Sequence, residues 1–568
     1  MVVVACTRDV TKETVTALAD APRPPAGRVV QLRTGKVRAK AMAGEIDSAI
    51  FKQALQGPVE CTATGLLGDE HHAGMHGGTE RAVHQYDPDH YAAWQVESCP
   101  EPALYEPGAF GENLVGTGMS EDNVCIGDVF RVGGTVLLEV SEPRHPCHKL
   151  NARFCWPRAL GRTIRTARSG WNMRVLQPGP VCAGDAIALV RRPFPQWSVL
   201  NVQRVIRGRD VGLDLLAACV QLPMTALFRD MAADRLRRAP KTYTLVAARL
   251  ASPRVRELTF ALKDGALSLP SPAFEAYSYA QITFGPPGAL FSRCYSIVDG
   301  DIYRFTLGVA LDRQSRGGSA YLHQELNIGD EIDMAPGTNP SAIESDARCA
   351  GQVLERIVIA GGIGITAFLP SVRDWEAKGL SYRIHYAVHE TRDAAFLEQL
   401  PRGRVTLYAS SEGHRLDLAS VIPDSCSDGG GALPRVFCCG PSRMMDTCAR
   451  ITTERGYPEH MVHFEDFGGG GSGGGELGAA FKVQVNEPET GRNEDLAVPA
   501  NKTLLDVLLG AGFDIDFSCK IGGCGACKVK VCEGDVSYKS TALLSKDKGS
   551  ALQACVDRGH GNLKLEID

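Results

Sequence analysis

Hydrophobic and polar positions divide the first 240 residues into a strand-rich part and a helical part. Apolar and β-branched runs at 29–32, 135–140 and 186–190 stand between glycine-rich turns. This pattern is typical of short strands in a closed or folded β-barrel. The segment 89–96 is one of few helical candidates in that part. From 193 to 240, apolar residues recur at helical spacing instead, which predicts three short helices without predicted chemistry.

The pattern after residue 240 predicts a second barrel and then a parallel sheet. Alternating apolar and polar positions at 242–248 and 255–262 indicate a return to strands. Further along, buried apolar strands are separated by helical segments, which is typical of a parallel sheet with helices on its faces. Those strands are predicted at 355–360, 382–387, 405–409 and 435–439.

A run of glycine and serine at 468–475 separates the last part of the chain from the rest. This composition cannot pack and predicts a flexible linker. The fold class is therefore a multidomain mixture of α+β and α/β. The predicted boundaries are 1–192 for the first barrel, 193–240 for its helices, 241–340 for the second barrel, 345–467 for the parallel sheet, 468–477 for the linker and 478–568 for a small strand-and-helix domain.

Composition and charge narrow the classes of function. A chain of 568 residues is too long for one core. A formal charge of −5 argues against a nucleic-acid or anionic-membrane partner, which would favour a basic excess. The 19 cysteines are scattered rather than arranged as a small secreted disulfide framework. No stretch of 18 apolar residues occurs, and the N-terminal apolar run is shorter than a signal segment, so we expect a cytoplasmic protein.

Four cysteines near the C-terminus carry the strongest chemical signal. Cys519, Cys524 and Cys527 have C-x4-C-x2-C spacing, and Cys555 follows after 27 residues. Four thiolates at this spacing are typical of a plant-type [2Fe–2S] cluster. A disulfide pair or a zinc site is the alternative, but zinc motifs usually pair two short cysteine units. The loop closely resembles that of ferredoxins, which implies a β-grasp domain over 478–568.

A second candidate site surrounds Cys147. The basic residues Arg144, His145, His148 and Lys149 flank this thiol and favour its thiolate form, and thiolates bind soft transition metals. On composition alone, an inert buried cysteine is the alternative. The motifs Gly-Asp, His-Gly-Gly, Gly-Glu-Asn and Pro-Arg-x-Pro-Cys-x-Lys-Leu-Asn, read in this order, resemble a MOSC domain of the bacterial YiiM type.

The MOSC resemblance implies a set of roles for this first domain. Members of the family bind molybdenum cofactor and reduce N-hydroxylated compounds, with the cysteine that matches Cys147 as the metal's protein ligand. By the same resemblance, the residues that hold the anionic pterin phosphate or shape the pocket are Lys52, Arg81, Asn113, Arg144 and Lys149, of which Arg144 and Lys149 join Cys147 as catalytic candidates. Solvated surface cations are the alternative for the basic members of this set.

A flavin site is predicted in the second barrel. Arg293, Tyr295 and Ser296 form an R-x-Y-S motif that resembles the flavin motif of the ferredoxin-reductase superfamily. A second loop carries small residues whose backbone N–H groups can hold a phosphate, namely Arg316, Gly317, Gly318 and Ser319. A plain turn is the alternative for these glycines. The loop is similar to that of the phthalate dioxygenase reductase family, which implies FMN rather than FAD.

A nucleotide site is predicted in the parallel sheet. A buried strand runs into glycines that open a helix, an arrangement typical of dinucleotide-phosphate binding in a Rossmann-like domain. The candidates are Gly361, Gly362, Gly364 and Thr366, joined by Cys439, Gly440 and Pro441 at the end of a later strand. In the reductase family an aromatic residue near the domain end packs on the flavin, which makes Phe467 a candidate; an ordinary core phenylalanine is the alternative.

Together these motifs predict an electron-transfer chain within one polypeptide. NAD(P)H would reduce FMN, the [2Fe–2S] cluster would carry single electrons, and the molybdenum cofactor would receive them to reduce a small N-hydroxylated substrate. Resemblance favours NADH, although Glu390 and Arg392 carry opposite charges at the position where the ribose is recognised. Two alternatives remain: an electron-transfer component that serves a separate oxygenase, and a carrier that stores molybdenum cofactor. The oligomeric state and the particular substrate stay open.

Overall fold

A computed structural model of the chain describes most residues and divides them into two compact units, Met1–Leu236 and Arg237–Ile567. The described residues are 8–42, 46–72, 76–97, 99–263, 273–286, 290–312, 317–339, 346, 349, 355–424, 433–467, 477–488, 492–513, 515, 517, 522, 525, 527–540, 543 and 547–567. Four parts of the predictions lie outside these ranges: Arg316, Cys519, Cys524 and the linker 468–476.

The first unit is organised around a closed barrel. Its strands are β1 Thr14–Val15, β2 Gly27–Thr34, β3 Arg38–Met42, β4 Ile46–Ser48, β5 Gln53–Ala54, β6 Val59–Thr62, β7 Gly65–Leu66, β8 Val83–Tyr86, β9 Leu114–Gly116, β10 Val129–Val132, β11 Val136–Pro143, β12 Trp171–Gln177, β13 Gly179–Val181, β14 Ala186–Arg191 and β15 Asp210–Val211. Seven of them follow the order β14-β10-β11-β12-β8-β9-β2, and β2 pairs with β14 to close the ring. The predicted β-barrel is therefore confirmed.

Within the described residues, six α-helices accompany the first barrel: α1 Asp89–Gln95, α2 Lys149–Arg153, α3 Ala159–Thr166, α4 Val199–Arg207, α5 Leu213–Val220 and α6 Ala226–Arg238. The last three are the helices that the apolar periodicity predicts. Ser198 caps α4 by accepting a hydrogen bond from the backbone N–H of Asn201 at 3.0 Å. The short α2 begins two residues after Cys147, so the end of β11, the Cys147 turn and α2 are close together in the chain.

The second unit contains a six-stranded closed barrel and a parallel sheet. The barrel has the order β16-β17-β20-β19-β18-β21, with the helix α7 Gly318–Gln324 beside it; its strands are β16 Lys241–Ser252, β17 Val255–Leu262, β18 Ser278–Phe284, β19 Phe291–Gly300, β20 Arg304–Ala310 and β21 Glu331–Thr338. The parallel sheet has the order β24-β23-β22-β25-β26, formed by β22 Arg356–Gly361, β23 Tyr382–Val388, β24 Val405–Ala409, β25 Arg435–Cys439 and β26 Val462–Phe464. Its helices are α8 Leu369–Ala377, α9 Leu418–Val421 and α10 Ser442–Glu454.

A mixed five-stranded sheet forms the C-terminal part of the second unit. Its order is β28-β27-β31-β29-β30, and α11 Leu504–Gly510 packs against it; the strands are β27 Phe481–Glu487, β28 Arg492–Val498, β29 Lys528–Ser537, β30 Ala551–Gln553 and β31 Arg558–Glu566. Thr503 and Asp506 cap α11 reciprocally, which explains why the helix begins there. Among the described residues, no helix combines the length and apolar character needed to cross a bilayer.

Candidate functional site

One cavity of the first unit brings together every residue predicted there from the MOSC resemblance. Its lining includes the candidates Lys52, Arg81, Asn113, Arg144, Cys147 and Lys149. These residues come from separate places in the sequence, and the barrel places them around a single space. Cys147 is half-buried at the cavity wall, in the turn between β11 and α2.

Lys52 and Asn113 both bind the buried carboxylate of Asp69. The Lys52 ammonium forms an ion pair with Oδ2 of Asp69, and the Asn113 amide donates to the same oxygen at 2.8 Å. The amide oxygen of Asn113 accepts a hydrogen bond from the backbone N–H of His84 at 3.2 Å. Burial lowers the pKa of Lys52, and Asp69 opposes that shift. These two residues therefore shape the cavity wall through internal partners.

Arg81 is held by a buried carboxylate in the same way. Its guanidinium donates to both oxygens of Glu142, at 2.5 and 3.2 Å. The Glu142 side chain is completely buried and also accepts from the Asn172 amide at 2.8 Å and from the Thr225 hydroxyl. A buried carboxylate with this many donors is well satisfied. Glu142 therefore neutralises Arg81 inside the protein.

Arg144 and Lys149 are the cavity cations that have no carboxylate partner within the described residues. Buried Nη1 of Arg144 has no hydrogen-bond partner there, and burial lowers the pKa of this guanidinium. The Lys149 ammonium donates to the backbone carbonyl of Asp47 at 2.8 Å. An unpaired buried cation is costly unless an anion joins it. The cavity therefore fits an anionic group beside Cys147, as a pterin phosphate requires.

Two histidines of the cavity lining, His84 and His145, have lowered pKa values. Burial, followed by the positive charge of Arg144, lowers the pKa of His84 to about 3. Burial also lowers the pKa of His145, and the positive charges of Arg207 and Arg144 lower it further. Both rings are therefore neutral near pH 7, and the positive character of the site comes from Arg144 and Lys149.

Sequence reasoning assigned no role to three residues that complete this site. Glu142 follows Ser141 in the motif around Cys147, but nothing in the pattern indicated a partner for it. Thr225 and Leu227 belong to the helical segment and reach the Glu142 carboxylate and the cavity wall, respectively. No periodic signal distinguishes them from ordinary helix residues, because their role depends on where α6 packs.

The predicted flavin residues in the second unit are adjacent. Arg293, Tyr295 and Ser296 lie on β19 and are all partly exposed. A Cβ added to Gly318 would lie 3.8 Å from Nε of Arg293, which brings the glycine loop beside this strand. Gly317 has a φ of +98° and leaves only 2.8 Å between an added Cβ and the Phe291 ring, so glycine is required there. Ser319 accepts from the backbone N–H of Asp312 at 3.2 Å.

The predicted nucleotide loops touch one another through backbone. A Cβ on Gly364 would lie 2.3 Å from the carbonyl oxygen of Cys439, and one on Gly361 would lie 2.7 Å from Cδ of Pro441. Gly440 approaches Gly361 closely as well, with 3.0 Å from its added Cβ to the Gly361 Cα. Gly362, at a φ of +55°, has open space around it. The arrangement leaves a backbone surface that fits a phosphate where a side chain would otherwise project.

Three other nucleotide and flavin candidates occupy different environments. Thr366 is 1% exposed and donates to the Ile363 carbonyl at 2.9 Å, so its hydroxyl already has an internal partner. Burial, with Glu465 and Asp466 as further causes, raises the pKa of the Cys439 thiol well above its usual range. Phe467 is 41% exposed, which leaves its ring open to a flavin.

The two charges that sequence reasoning weighed for cofactor choice pair with each other. Nε of Arg392 lies 2.6 Å from Oε2 of Glu390. Since each neutralises the other, neither provides an unopposed charge for a ribose or a 2′-phosphate. The preference for NADH therefore stays a prediction from resemblance.

Two of the four predicted cluster ligands are described. Cys527 and Cys555 are each 2% exposed and belong to the core of the C-terminal sheet. Gly522 stands in the same loop at a φ of +78°, where an added Cβ would lie 2.5 Å from Cγ2 of Val556. A glycine is therefore needed for the loop to close against the sheet. Cys519 and Cys524 lie outside the described residues.

Two known protein families match parts of the chain. Residues 72–188 match the MOSC domain, and residues 488–556 match the 2Fe-2S iron-sulfur cluster binding domain, a span that includes all four predicted cysteines. The MOSC match implies a molybdenum cofactor, and the second match implies a [2Fe–2S] cluster.

Three curated relatives define the family. A reductase of Gibberella moniliformis is 62% identical over 565 residues, covering 100% of both chains. The heme-dependent oxidative N-demethylase beta subunit of Ectopseudomonas mendocina is 30% identical over 56% of this chain and 97% of its own. The phthalate dioxygenase reductase of Burkholderia cepacia is 30% identical over 51% of this chain and 86% of its own.

The relatives of the phthalate dioxygenase reductase type imply FMN and NAD(P)H as further cofactors. The chain is an oxidoreductase with electron-transfer modules. The chain belongs to the same family as the Gibberella moniliformis reductase, and it is a fusion of a MOSC domain with a reductase module of the phthalate dioxygenase reductase type.

Proposed function

We propose that this reductase is self-sufficient: it uses NAD(P)H to reduce N-hydroxylated compounds at a molybdenum cofactor in its MOSC domain. One observation carries the proposal, the cavity in which half-buried Cys147 lies among residues that include Arg144, whose Nη1 has no partner within the described part of the chain. A thiol ligand beside an unpaired cation suits a metal cofactor that carries an anionic phosphate.

The residues of the cavity have separate tasks. Cys147 would supply the thiolate ligand, while Arg144 and Lys149 would bind the anionic part of the cofactor. Lys52, Arg81 and Asn113 hold the wall in shape through Asp69 and Glu142. When bound, the flavin, the cluster and the molybdenum supply the redox chemistry.

The overall reaction balances with NAD(P)H as the reductant. The N–O bond of the hydroxylated substrate breaks, and the substrate gains two electrons. NAD(P)H supplies both electrons and one proton as a hydride equivalent, and solvent supplies a second proton. The products are the N–H compound, one water molecule and NAD(P)⁺.

The fusion itself supports the proposal. A donor and an acceptor in one chain meet at an effective concentration of roughly millimolar, far above that of separate proteins in most cells. The Gibberella moniliformis relative matches this chain over 100% of both sequences, so the same combination of domains occurs in a second protein. If the MOSC domain had no role in the reaction, nothing would favour keeping Nη1 of Arg144 without a partner in its cavity.

The test removes the metal ligand and leaves the reductase module unchanged. Cys147→Ala should lose at least about 100-fold of its NADH-dependent reduction of an N-hydroxylated substrate, about 3 kcal/mol at 1.4 kcal/mol per tenfold. Its reduction of ferricyanide or cytochrome c should equal that of wild type. Cys182→Ala is the matched control, because Cys182 is also a half-buried free thiol of the first unit. Full activity in Cys147→Ala would overturn the proposal.

A second candidate function is electron transfer to a separate oxygenase. The relatives from Ectopseudomonas mendocina and Burkholderia cepacia match about half of this chain over 97% and 86% of their own lengths, and their names tie them to oxidative demethylation and phthalate dioxygenation. The second unit alone therefore has the length of an electron-transfer component. Purified protein without stoichiometric molybdenum would favour this function, whereas molybdenum without turnover of any N-hydroxylated compound would favour a cofactor carrier.

A further inference from the structure

A cluster of three metal-ligating side chains lies in the first unit, outside the residues that line the Cys147 cavity. Asp87 follows β8 directly, His90 stands on α1, and Glu121 lies after β9. One ligand atom from each residue lies within 4.8 Å of the other two. None of the three was singled out by a sequence motif, because they are brought together by the folding of separate elements.

The cluster is buried and only partly satisfied. Asp87 is 9% exposed, and the side chains of His90 and Glu121 are 18% and 3% exposed. Glu121 accepts from Nε2 of His90 at 2.6 Å with one oxygen and from the backbone N–H of Gly170 at 2.8 Å with the other. Oδ1 of Asp87 accepts from the backbone N–H of Asp89 at 3.0 Å. Its second oxygen, Oδ2, accepts no hydrogen bond from the described residues and is open to solvent rather than enclosed.

Two buried carboxylates this close to each other need positive charge. The imidazole of His90 is already engaged with Glu121, since its Nε2 lies 2.6 Å from Oε2 of that carboxylate. Asp87 therefore forms no ion pair with a cation of the described residues, although the residue is only 9% exposed.

We propose that Asp87, His90 and Glu121 form a binding site for a divalent transition-metal cation that accepts mixed nitrogen and oxygen ligands. Imidazole with carboxylates suits Mn²⁺, Fe²⁺ and Zn²⁺, whereas Mg²⁺ and Ca²⁺ prefer ligands that are all oxygen. Two carboxylates and a neutral imidazole balance the charge of such a cation. Three protein ligands leave the remaining coordination positions to water. The site is independent of the proposed activity and assigns the chain a further metal.

The position of the cluster explains what a cation there would stabilise. Glu121 holds the N–H of Gly170, and the Gly170 carbonyl accepts from the backbone N–H of Arg144 at 2.9 Å. Gly170 has a φ of +73°, and an added Cβ would lie 2.2 Å from the Gln85 carbonyl oxygen. A cation bound to Glu121 would therefore brace the backbone that leads into the Cys147 turn.

The alternative is a plain ion pair between protonated His90 and Glu121. That pair needs no third group, whereas the metal site needs Asp87. Asp87→Asn is therefore the discriminating variant, because Asn keeps the acceptor for the Asp89 N–H and leaves the His90–Glu121 pair intact. Asp122→Asn is the matched control: it removes the same charge one residue from Glu121, at an exposed side chain that pairs with Arg8.

The experiment titrates Mn²⁺ into the oxidised full-length protein, and free Mn²⁺ is measured by electron paramagnetic resonance. Wild type and Asp122→Asn should each bind one Mn²⁺ per chain more than Asp87→Asn, and Mn²⁺ should raise the Tm of the first two proteins only. Equal binding and equal Tm shifts in all three proteins would overturn the proposal.

A second measurement on wild type needs no variant to fold. Spin-echo modulation of Mn²⁺ bound to wild type should show coupling to an imidazole nitrogen. Bound Mn²⁺ without nitrogen coupling in wild type would overturn the assignment of His90, and with it the site. A wild type that binds no Mn²⁺ and no Zn²⁺ at this cluster would overturn the proposal as well.

Discussion

The Cys147 cavity and the nucleotide loops both suit an anionic group, but they are built from different parts of the chain. The cavity uses charged side chains, and Arg144 remains unpaired there within the described residues. The loops use backbone, since Gly361, Gly364 and Gly440 leave no room for a Cβ. A site made of side chains depends on charge and pH, whereas a site made of backbone depends on space. The two should therefore fail under different changes.

Acidic pH should destabilise the first unit, which contains the Cys147 cavity, before it affects the nucleotide loops. His84 is buried and neutral with a pKa of about 3, while an unfolded histidine titrates near 6.5. As the pH falls, His84 therefore binds a proton in the unfolded chain before it does so in the folded protein. The contribution of His84 to stability is present above about pH 6.5 and is lost as the pH drops towards 3. Between pH 6.5 and pH 4 the free energy of unfolding should fall by about 3 kcal/mol, at about 1.4 kcal/mol per pH unit.

Urea unfolding followed by tryptophan fluorescence measures this effect, since four of the five tryptophans, Trp94, Trp156, Trp171 and Trp197, belong to the first unit. His84→Gln should lose less stability over the same pH range, and His560→Gln, at an exposed position of β31, should behave as wild type. Parallel acid losses in wild type and His84→Gln would contradict the expectation.

Adding a single methyl group should damage the loops and spare the cavity. In Gly364→Ala the new Cβ would lie 2.3 Å from the Cys439 carbonyl, so backbone must move. Overpacking of this kind costs about 1–3 kcal/mol of stability, and the displaced backbone of the nucleotide loop should slow flavin reduction by NADH. Stopped-flow absorbance measures that rate. Gly403→Ala, which has nothing within 4 Å of its added Cβ, is the control.

The molybdenum content of Gly364→Ala should equal that of wild type. Flavin reduction at the wild-type rate in this variant would show that the loops have space for a side chain, and the contrast between the two sites would then disappear.

Removing the charge of Arg144 should affect the Cys147 cavity and leave the nucleotide loops unchanged. In Arg144→Met the unpaired buried guanidinium is replaced by an apolar side chain of similar length, so cofactor-free protein should become more stable. Its molybdenum content should fall about tenfold, equivalent to about 1.4 kcal/mol of binding. Elemental analysis measures the metal, with Arg131→Met, on the exposed side of β10, as the control. Full molybdenum occupancy in Arg144→Met would show that another group binds the anion.

The smallest effect is expected at the base of the cavity. Thr225→Val keeps the shape of the side chain but removes one hydrogen bond to Glu142, which retains Arg81 and Asn172 as donors. The loss should be about 1 kcal/mol of unfolding free energy, without any change in flavin reduction. The same urea experiment measures it, and an unchanged midpoint would mean that Glu142 does not need its third partner.

The sequence by itself determined the architecture and the cofactors. The spacing of apolar residues predicted both barrels, the parallel sheet and the helices α4 to α6. Such spacing shows which face of each strand or helix is buried. Cofactor motifs were equally visible, since the four cysteines and the R-x-Y-S motif around Tyr295 lie within short segments. A cofactor motif can be recognised in the sequence when its residues are close together in the chain.

Only the tertiary structure decided which cations are neutralised. Lys52 and Arg81 resemble Arg144 and Lys149 in sequence, yet the first two bind Asp69 and Glu142 while the others have no carboxylate partner among the described residues. The partners are 17 and 61 positions away in the chain. A charge inside a protein depends on its burial and on which groups face it, and both are set when barrel and helices pack.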